Sequence, residues 1–326
     1  MKIAQIGTGY WGRNHARVWK EMKDEGIIDD IILVDVKESA VRPLAENFSL
    51  KYLTSADDLP ADIDAVDIVA PTPLHFSLSK RFLEEGKHVF VEKPMTATSQ
   101  EGEELVKIAT GAGKILMPGH LFRYHPALNR VKEMIAGRRF GKIFYVKTVR
   151  SAMRVPRKDM GVLLALAIHD VDTYTYILGK KPQSVLCDAS EHFWEGIEDV
   201  ASLTLRYGET SGYIFESWLS PIGNKIREIY VAGESLSARV DYLKPDVIEL
   251  YDSSLTPSNG DWILENEGMR SITVPYREPL KEELLDFVRS CETGKKPTAD
   301  MHSGLEAVKV IESAMESARS GKRVDI

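Results

Sequence analysis

The chain has 326 residues, 43% of them hydrophobic and 28% charged, with a formal net charge of −7. That length points to two domains of ordinary soluble composition. The negative balance, with no basic stripe, argues against a nucleic-acid surface. Residues 2–6 form a short apolar strand that runs into Gly7-Thr8-Gly9-Tyr10-Trp11-Gly12, with a helical pattern over 11–23 behind it. With the first strand read from residue 2, no signal peptide is expected. In this strand–turn–helix context G-x-G-x-x-G is a dinucleotide signature. Gly7 permits the tight turn, Gly9 the close approach of backbone to pyrophosphate, and Gly12 the packing of helix on strand. Tyr10 and Trp11 open the helix whose positive end faces the phosphates.

A second apolar strand, 31–36, reaches Asp35, roughly 20 residues beyond the glycines, where a carboxylate accepts from ribose hydroxyls and repels a 2′-phosphate. Val36 and Lys37 follow instead of an arginine, so NAD is expected rather than NADP. Strands at 65–69, 88–91 and 114–117 then alternate with helices at 38–48, 74–85 and 99–111. Such alternation predicts a doubly wound parallel sheet, a Rossmann domain over 1–119. Its ligand lies outside the carboxyl ends of the strands. Three segments converge there: the glycine turn, Ala70-Pro71-Thr72-Pro73-Leu74-His75, and Glu92-Lys93-Pro94. Lys93, at a strand mouth, can serve as acid or base on a substrate hydroxyl when partly desolvated. The same position also suits a surface lysine paired with Glu92.

From 120 to 326 the rhythm changes. Gly119-His120-Leu121-Phe122-Arg123-Tyr124-His125-Pro126 follows the last parallel strand; Arg123 and His125 are candidates for substrate contact. His120 and His125 stand five residues apart with no third ligand near, so no metal site is expected. A helix at 125–137 and a strand at 143–149 lead to Arg150, Arg154 and Arg157, which read either as a solvated loop or as a seat for phosphate or carboxylate. Lys225 and Arg227 repeat that pattern more weakly. A helix at 161–178 is apolar until His169, Asp170 and Asp172; a core histidine or a substrate partner both fit His169. Its apolar run, 160–168, is about half the ~18 residues that a membrane span needs, so no membrane contact is expected. Strands at 184–190, 199–206, 211–219, 226–233 and 237–242, joined by short turns, predict an antiparallel sheet, and helices at 280–293 and 302–319 close the chain. Cys187 and Cys291 have no metal-ligand spacing and no disulfide framework, as expected in a reducing cytoplasm.

Residues 7–12, Asp35, the segment from Ala70 to His75, Glu92-Lys93-Pro94 and the block from Gly161 to His169-Asp170-Val171-Asp172 together resemble the Gfo/Idh/MocA family of NAD(P)-dependent sugar and cyclitol dehydrogenases. The resemblance spans essentially the whole chain. It implies an α/β protein: a Rossmann domain over 1–119 and an α+β substrate and oligomerisation domain over 120–326 with a large open, mostly antiparallel sheet. It also implies a homodimer or homotetramer. Lys93 corresponds to the family's catalytic lysine and His169 to its substrate-hydroxyl partner. Ala70, Thr72, Pro73 and His75 would line the nicotinamide side, with Glu92 near its ribose and a cis peptide before Pro94.

The segments from Gly9 to His15, Gly119 to Pro126 and Ser217-Trp218-Leu219-Ser220-Pro221 look most like members that oxidise C3 of UDP-N-acetylglucosamine or its uronic acid. The arginines at 150, 154 and 157 suit a diphosphate or uronate. One position departs from the pattern: the family carries an aspartate four residues before the histidine, where this chain has Ala165. Three functions therefore stand: an NAD-dependent dehydrogenase of a sugar or nucleotide sugar, an NAD-binding sensor without turnover, and a redox-neutral glycosidase that uses NAD transiently.

Overall fold

In the computed structural model, which describes residues 1–220 and 225–326, the sheet of the first half has six parallel strands in the order β3-β2-β1-β4-β5-β6. They are β1 (Lys2–Ile6), β2 (Asp30–Val34), β3 (Lys51–Leu53), β4 (Ala65–Ile68), β5 (His88–Glu92) and β6 (Leu116–Gly119). The order reverses at β1 and β4, which makes their carboxyl ends the switch point where ligands of such sheets bind. Helices α1 (Tyr10–Asp24), α2 (Glu38–Phe48), α3 (His75–Glu84) and α4 (Ser99–Ala112) connect them. α1 buries Gly12, His15, Ala16, Trp19 and Met22, the i, i+3, i+4, i+7 spacing of one helical face. α4 starts in a Thr98–Glu101 capping box and stops at Gly113, whose φ of 61° suits the left-handed C-cap. β3 is not among the expected strands; three residues with none fully buried give too short a pattern to read.

Beyond residue 125 the chain forms α5 (Pro126–Ala136), β7 (Ile143–Ser151), α6 (Ile168–Leu178), β8 (Ser184–Ser190), β9 (Val200–Tyr207), β10 (Thr210–Ser217), β11 (Ile226–Gly233), β12 (Ser237–Asp241), β13 (Val247–Ser258), β14 (Asp261–Thr273), α7 (Pro279–Thr293), α8 (Met301–Ser320) and β15 (Val324–Asp325). Nine strands make one open sheet in the order β14-β13-β12-β11-β7-β10-β9-β8-β15. Its pairs are antiparallel except β7 with β10, which run parallel. The sheet is therefore mixed, and the carboxyl ends of β7 and β10 lie side by side. Period-two alternation turns Val146, Thr148 and Arg150 of β7, and Gly212, Ile214 and Glu216 of β10, to the buried face. A Cβ at Gly212 would lie 2.9 Å from the Tyr174 ring, so glycine lets α6 pack on β10.

Two differences from the sequence reading concern these elements. The helix expected over 161–178 is a π turn, Leu163–Ala167, leading into α6. The expected strands also stop before β13 and β14, which pair from Val247↔Thr273 to Ser258↔Asp261 around a two-residue turn. Pro221, the last residue of the expected 217–221 motif, lies outside the described residues.

Compactness divides the chain into one unit of Met1–Leu121 with Glu278–Val308, and a second of Phe122–Arg277 with Lys309–Ile326. In the first unit α7 returns to α1: Arg17 pairs with Glu278, Lys281 with Glu25 at 2.6 Å, and Phe287 meets Phe90 edge-on at 5.7 Å. Among the described residues no helix is long and apolar enough to cross a membrane.

Candidate active site

In the first unit the glycine turn joins β1 to α1. Gly7 has a φ of 105°, and a Cβ there would lie 2.6 Å from the Val69 carbonyl oxygen. A Cβ on Gly12 would lie 2.3 Å from the Gly7 carbonyl oxygen. Gly9 is different, because a Cβ there meets nothing within 4 Å. Two glycines close the turn on itself, and the third leaves bare backbone open at the start of α1. The Gln5 side chain donates to the Gly7 and Gly12 carbonyls, both at 2.8 Å, and staples the turn from below. Gly9 caps α1 without a side-chain bond, so the first-turn N–H groups are free of a capping side chain and suit an anion. Tyr10 and Trp11 are exposed beside them. These features fit a dinucleotide diphosphate.

Asp35 follows β2. One of its oxygens accepts from the Thr8 N–H at 2.9 Å and the Thr8 hydroxyl at 2.8 Å, and the other from the Lys37 N–H at 3.0 Å. The carboxylate thus ties the glycine turn to β2, and the oxygen that accepts from Lys37 keeps acceptor capacity toward ribose hydroxyls. Ala70 and Thr72 are half-buried and Pro73 is exposed in the segment after β4. His75 lies inside instead, 1% exposed, with Nδ1 2.7 Å from the Pro94 carbonyl and Nε2 2.8 Å from the Ala70 carbonyl. Burial lowers its pKa. The neutral ring has one N–H, which donates to one of these two carbonyls, so His75 packs between the two loops that form this rim.

Glu92 ends β5, half-buried Lys93 follows, and the Lys93–Pro94 peptide is cis. Glu92 accepts from the Lys93 N–H at 3.0 Å. Beneath it lies a network absent from the sequence reading. His15, with no exposed surface, sits 2.9 Å from Asp67 and 3.2 Å from Glu92, and Trp19 donates to Asp67 at 2.7 Å. Burial pulls the imidazole pKa down, but Asp67 and Glu92 outweigh it and raise it to about 10. Burial likewise opposes ionisation of Glu92, yet the His15 contact lowers its pKa overall. An imidazolium therefore locks Glu92, the residue before Lys93.

In the second unit, half-buried His169 stands in α6, its ring edge-on to Phe122 at 5.1 Å. Buried Ala165 lies one turn earlier in the π segment. π turns occur often at functional sites. Arg150, 2% exposed, donates through Nε to Asp170 at 2.7 Å and packs on the rings of Phe122 and Tyr242 at 4.4 and 4.5 Å. Arg227 of β11, Arg150 of β7 and Glu216 of β10 are cross-strand partners in one row. Burial, with Asp170 beside it, pushes the Glu216 carboxyl well above the usual carboxylate range. Glu216 occupies the inward register of β10, and a charge at an inward strand position is the sign by which sequence alone could find it.

Three expected substrate contacts are engaged elsewhere. Arg123, 9% exposed, grips Asp172 through Nε at 3.0 Å and Nη2 at 2.7 Å. His125, 3% exposed, caps α5 by accepting from the Leu128 N–H at 3.4 Å; burial, aided by Arg150, lowers its pKa to about 4. Arg157 pairs with Asp159 at 2.8 Å. A buried ion pair, a helix cap through Nδ1 and a local pair engage these groups within the protein. Arg154 is exposed and lies over the Trp218 ring at 5.4 Å.

Comparison with known proteins adds the following. Residues 1–120 match the Gfo/Idh/MocA model described as an oxidoreductase family, NAD-binding Rossmann fold, and residues 132–326 match its C-terminal alpha/beta domain. The chain is 31% identical over 276 residues to scyllo-inositol 2-dehydrogenase (NAD(+)) of Bacillus subtilis, which covers 81% of this chain and 78% of that protein. It is 32% identical over 187 residues to UDP-N-acetylglucosamine 3-dehydrogenase of Acidithiobacillus ferrooxidans, covering 57% of this chain and 56% of that one. The fold matches a levoglucosan dehydrogenase solved with NADH and levoglucosan, at a TM-score of 0.87, 18% identity and coverage of 100% and 99%.

Proposed function

Because this chain belongs to the Gfo/Idh/MocA family of oxidoreductases and carries its NAD-binding Rossmann domain, we propose that it oxidises a secondary hydroxyl of a sugar, C3 of a UDP-N-acetylhexosamine or its uronic acid. The observation that carries this reading is Lys93 at the mouth of β5, in the same unit as the open glycine turn. Pyrophosphate would rest on Gly9, Tyr10 and Trp11, and ribose on Asp35. Ala70, Thr72, Pro73 and Glu92 would bound the nicotinamide end. Bound NAD supplies the hydride acceptor.

Lys93, as the free amine, takes the proton of the substrate hydroxyl, and His169 orients that hydroxyl by hydrogen bonding. The division of labour follows the chain: cofactor on 1–119, substrate and subunit contacts on 120–326. Tyr145, Tyr213 and Phe215 on the open face of the second sheet suit a homodimer or homotetramer contact. The 32% identity to a nucleotide-sugar dehydrogenase supports the finer substrate; a comparable identity to an inositol dehydrogenase supports the broader class.

The test follows NADH absorbance with UDP-N-acetylglucosamine, its uronic acid, free sugars and inositols, for this chain and Ala165→Asp. Turnover with the UDP-sugars alone is expected, and the restored carboxylate should raise kcat by ~10² or more, the scale of one orienting group. Turnover with inositols alone would replace the substrate. NAD binding without turnover in either form favours a sensor, the reading that Ala165 motivates; sugar release without net NADH favours the glycosidase.

A further inference from the structure

At the carboxyl ends of β7 and β10 the second unit holds a cleft of about 380 Å³, lined by Arg150, Arg154, Lys225, Arg227, Trp218 and Leu166. We infer that this cleft is an oxyanion-binding subsite. It takes the diphosphate or carboxylate of the substrate by the guanidinium groups of Arg150 and Arg227, with Lys225 and Arg154 at its rim. The inference rests on the sugar-dehydrogenase reading for what the oxyanion belongs to.

Four observations carry it. First, the cleft collects four cations. The carboxylates that face them are Asp170 and Glu216 beneath, and Asp170 is already bonded to Arg150 at 2.7 Å. Second, two buried donors of lining residues have no hydrogen-bond partner among the described residues: Nη2 of Arg150 and Nε1 of Trp218, in side chains 2% and 1% exposed. Buried N–H donors are ordinarily satisfied, and both of these call for an acceptor. Third, burial first and the neighbouring arginines second lower the pKa of Lys225 and of Arg227, so the cations lie close enough to repel one another. Burial and Asp170 also keep the Glu216 carboxyl toward its neutral form, so it does not cancel that excess. Fourth, Leu166 of the π turn forms part of the wall, three residues before His169. An anion held here lies against the same helical segment that presents His169. Guanidinium groups bind phosphate and carboxylate oxygens in a paired, planar fashion, so this site gives orientation as well as charge.

The experiment is calorimetric titration of inorganic pyrophosphate, and separately of glucuronate, into the full chain with saturating NAD at 50 and 300 mM NaCl. Arg227→Gln and the exposed Lys225→Gln are run beside it. Saturable binding that weakens with salt, and at least tenfold in Arg227→Gln, is expected. Pyrophosphate alone identifies a diphosphate site, and glucuronate alone a carboxylate site. If neither binds, or if both variants bind as tightly as the parent while their melting temperatures match it, the subsite is overturned. Should Arg227→Gln fail to fold, a several-fold loss in Lys225→Gln supports the site and no loss overturns it. The readout needs no turnover. A chain that binds pyrophosphate but reduces NAD with no sugar keeps the subsite and loses the dehydrogenase.

Discussion

Lys93 and His15 show how one residue's chemistry depends on what lies behind it. Replacing Lys93 by Met removes the proposed proton acceptor and should lower kcat by roughly 10²–10⁴, while NAD affinity, followed by protein fluorescence, changes little. His15 acts one step back. Its imidazolium, at a pKa of about 10 against an ordinary 6.5, stabilises the fold fully below pH 6.5 and loses that contribution as pH rises through about 10. Melting curves from pH 6 to 10.5 should therefore fall with pH in the parent and run flatter in His15→Gln; equal slopes would remove the charged network. Gly7, Gly9, Gly12, Asp35 and Lys93 are legible in the sequence because each occupies a set distance from a strand end. His15 is not, since its meaning comes from Asp67 and Glu92, 52 and 77 residues away. Arg123 and His125 show the same dependence: residue type suggests a ligand, and packing adds the Asp172 pair and the α5 cap.

At the scale of elements, α6 is fixed from two sides, by Arg123–Asp172 and by Arg150–Asp170. Arg123→Leu breaks this buried ion pair, which should cost about 3–5 kcal/mol in urea unfolding. A smaller loss, under about 1 kcal/mol, would mean that the pair does not anchor the helix. Strong periodicity makes α1 and the parallel strands readable. The β13–β14 hairpin is harder, because nearly every residue of β14 is exposed and no apolar face marks it. Its one local sign is Asn259-Gly260, with φ of 51° and 85°, the pairing favoured in two-residue hairpin turns. The π turn leaves no such sign: an apolar run from 162 to 168 is equally compatible with an uninterrupted α-helix.

On the scale of the whole molecule, the open sheet predicts assembly. Light scattering should report a dimer or tetramer, and Tyr213→Glu with Phe215→Glu should shift it toward monomer; a monomeric parent would leave that face without this role. The composition of the first unit has a different consequence. Its helix α7, with Phe287 against Phe90 and Glu278 against Arg17, comes from the far end of the chain. During synthesis the strands of the cofactor-binding half therefore emerge before the helix that packs on them. The Phe90 side of its sheet gains that partner only when residues 278–308 have been made. A nascent chain stalled before that point is the form in which a chaperone would find the most to hold.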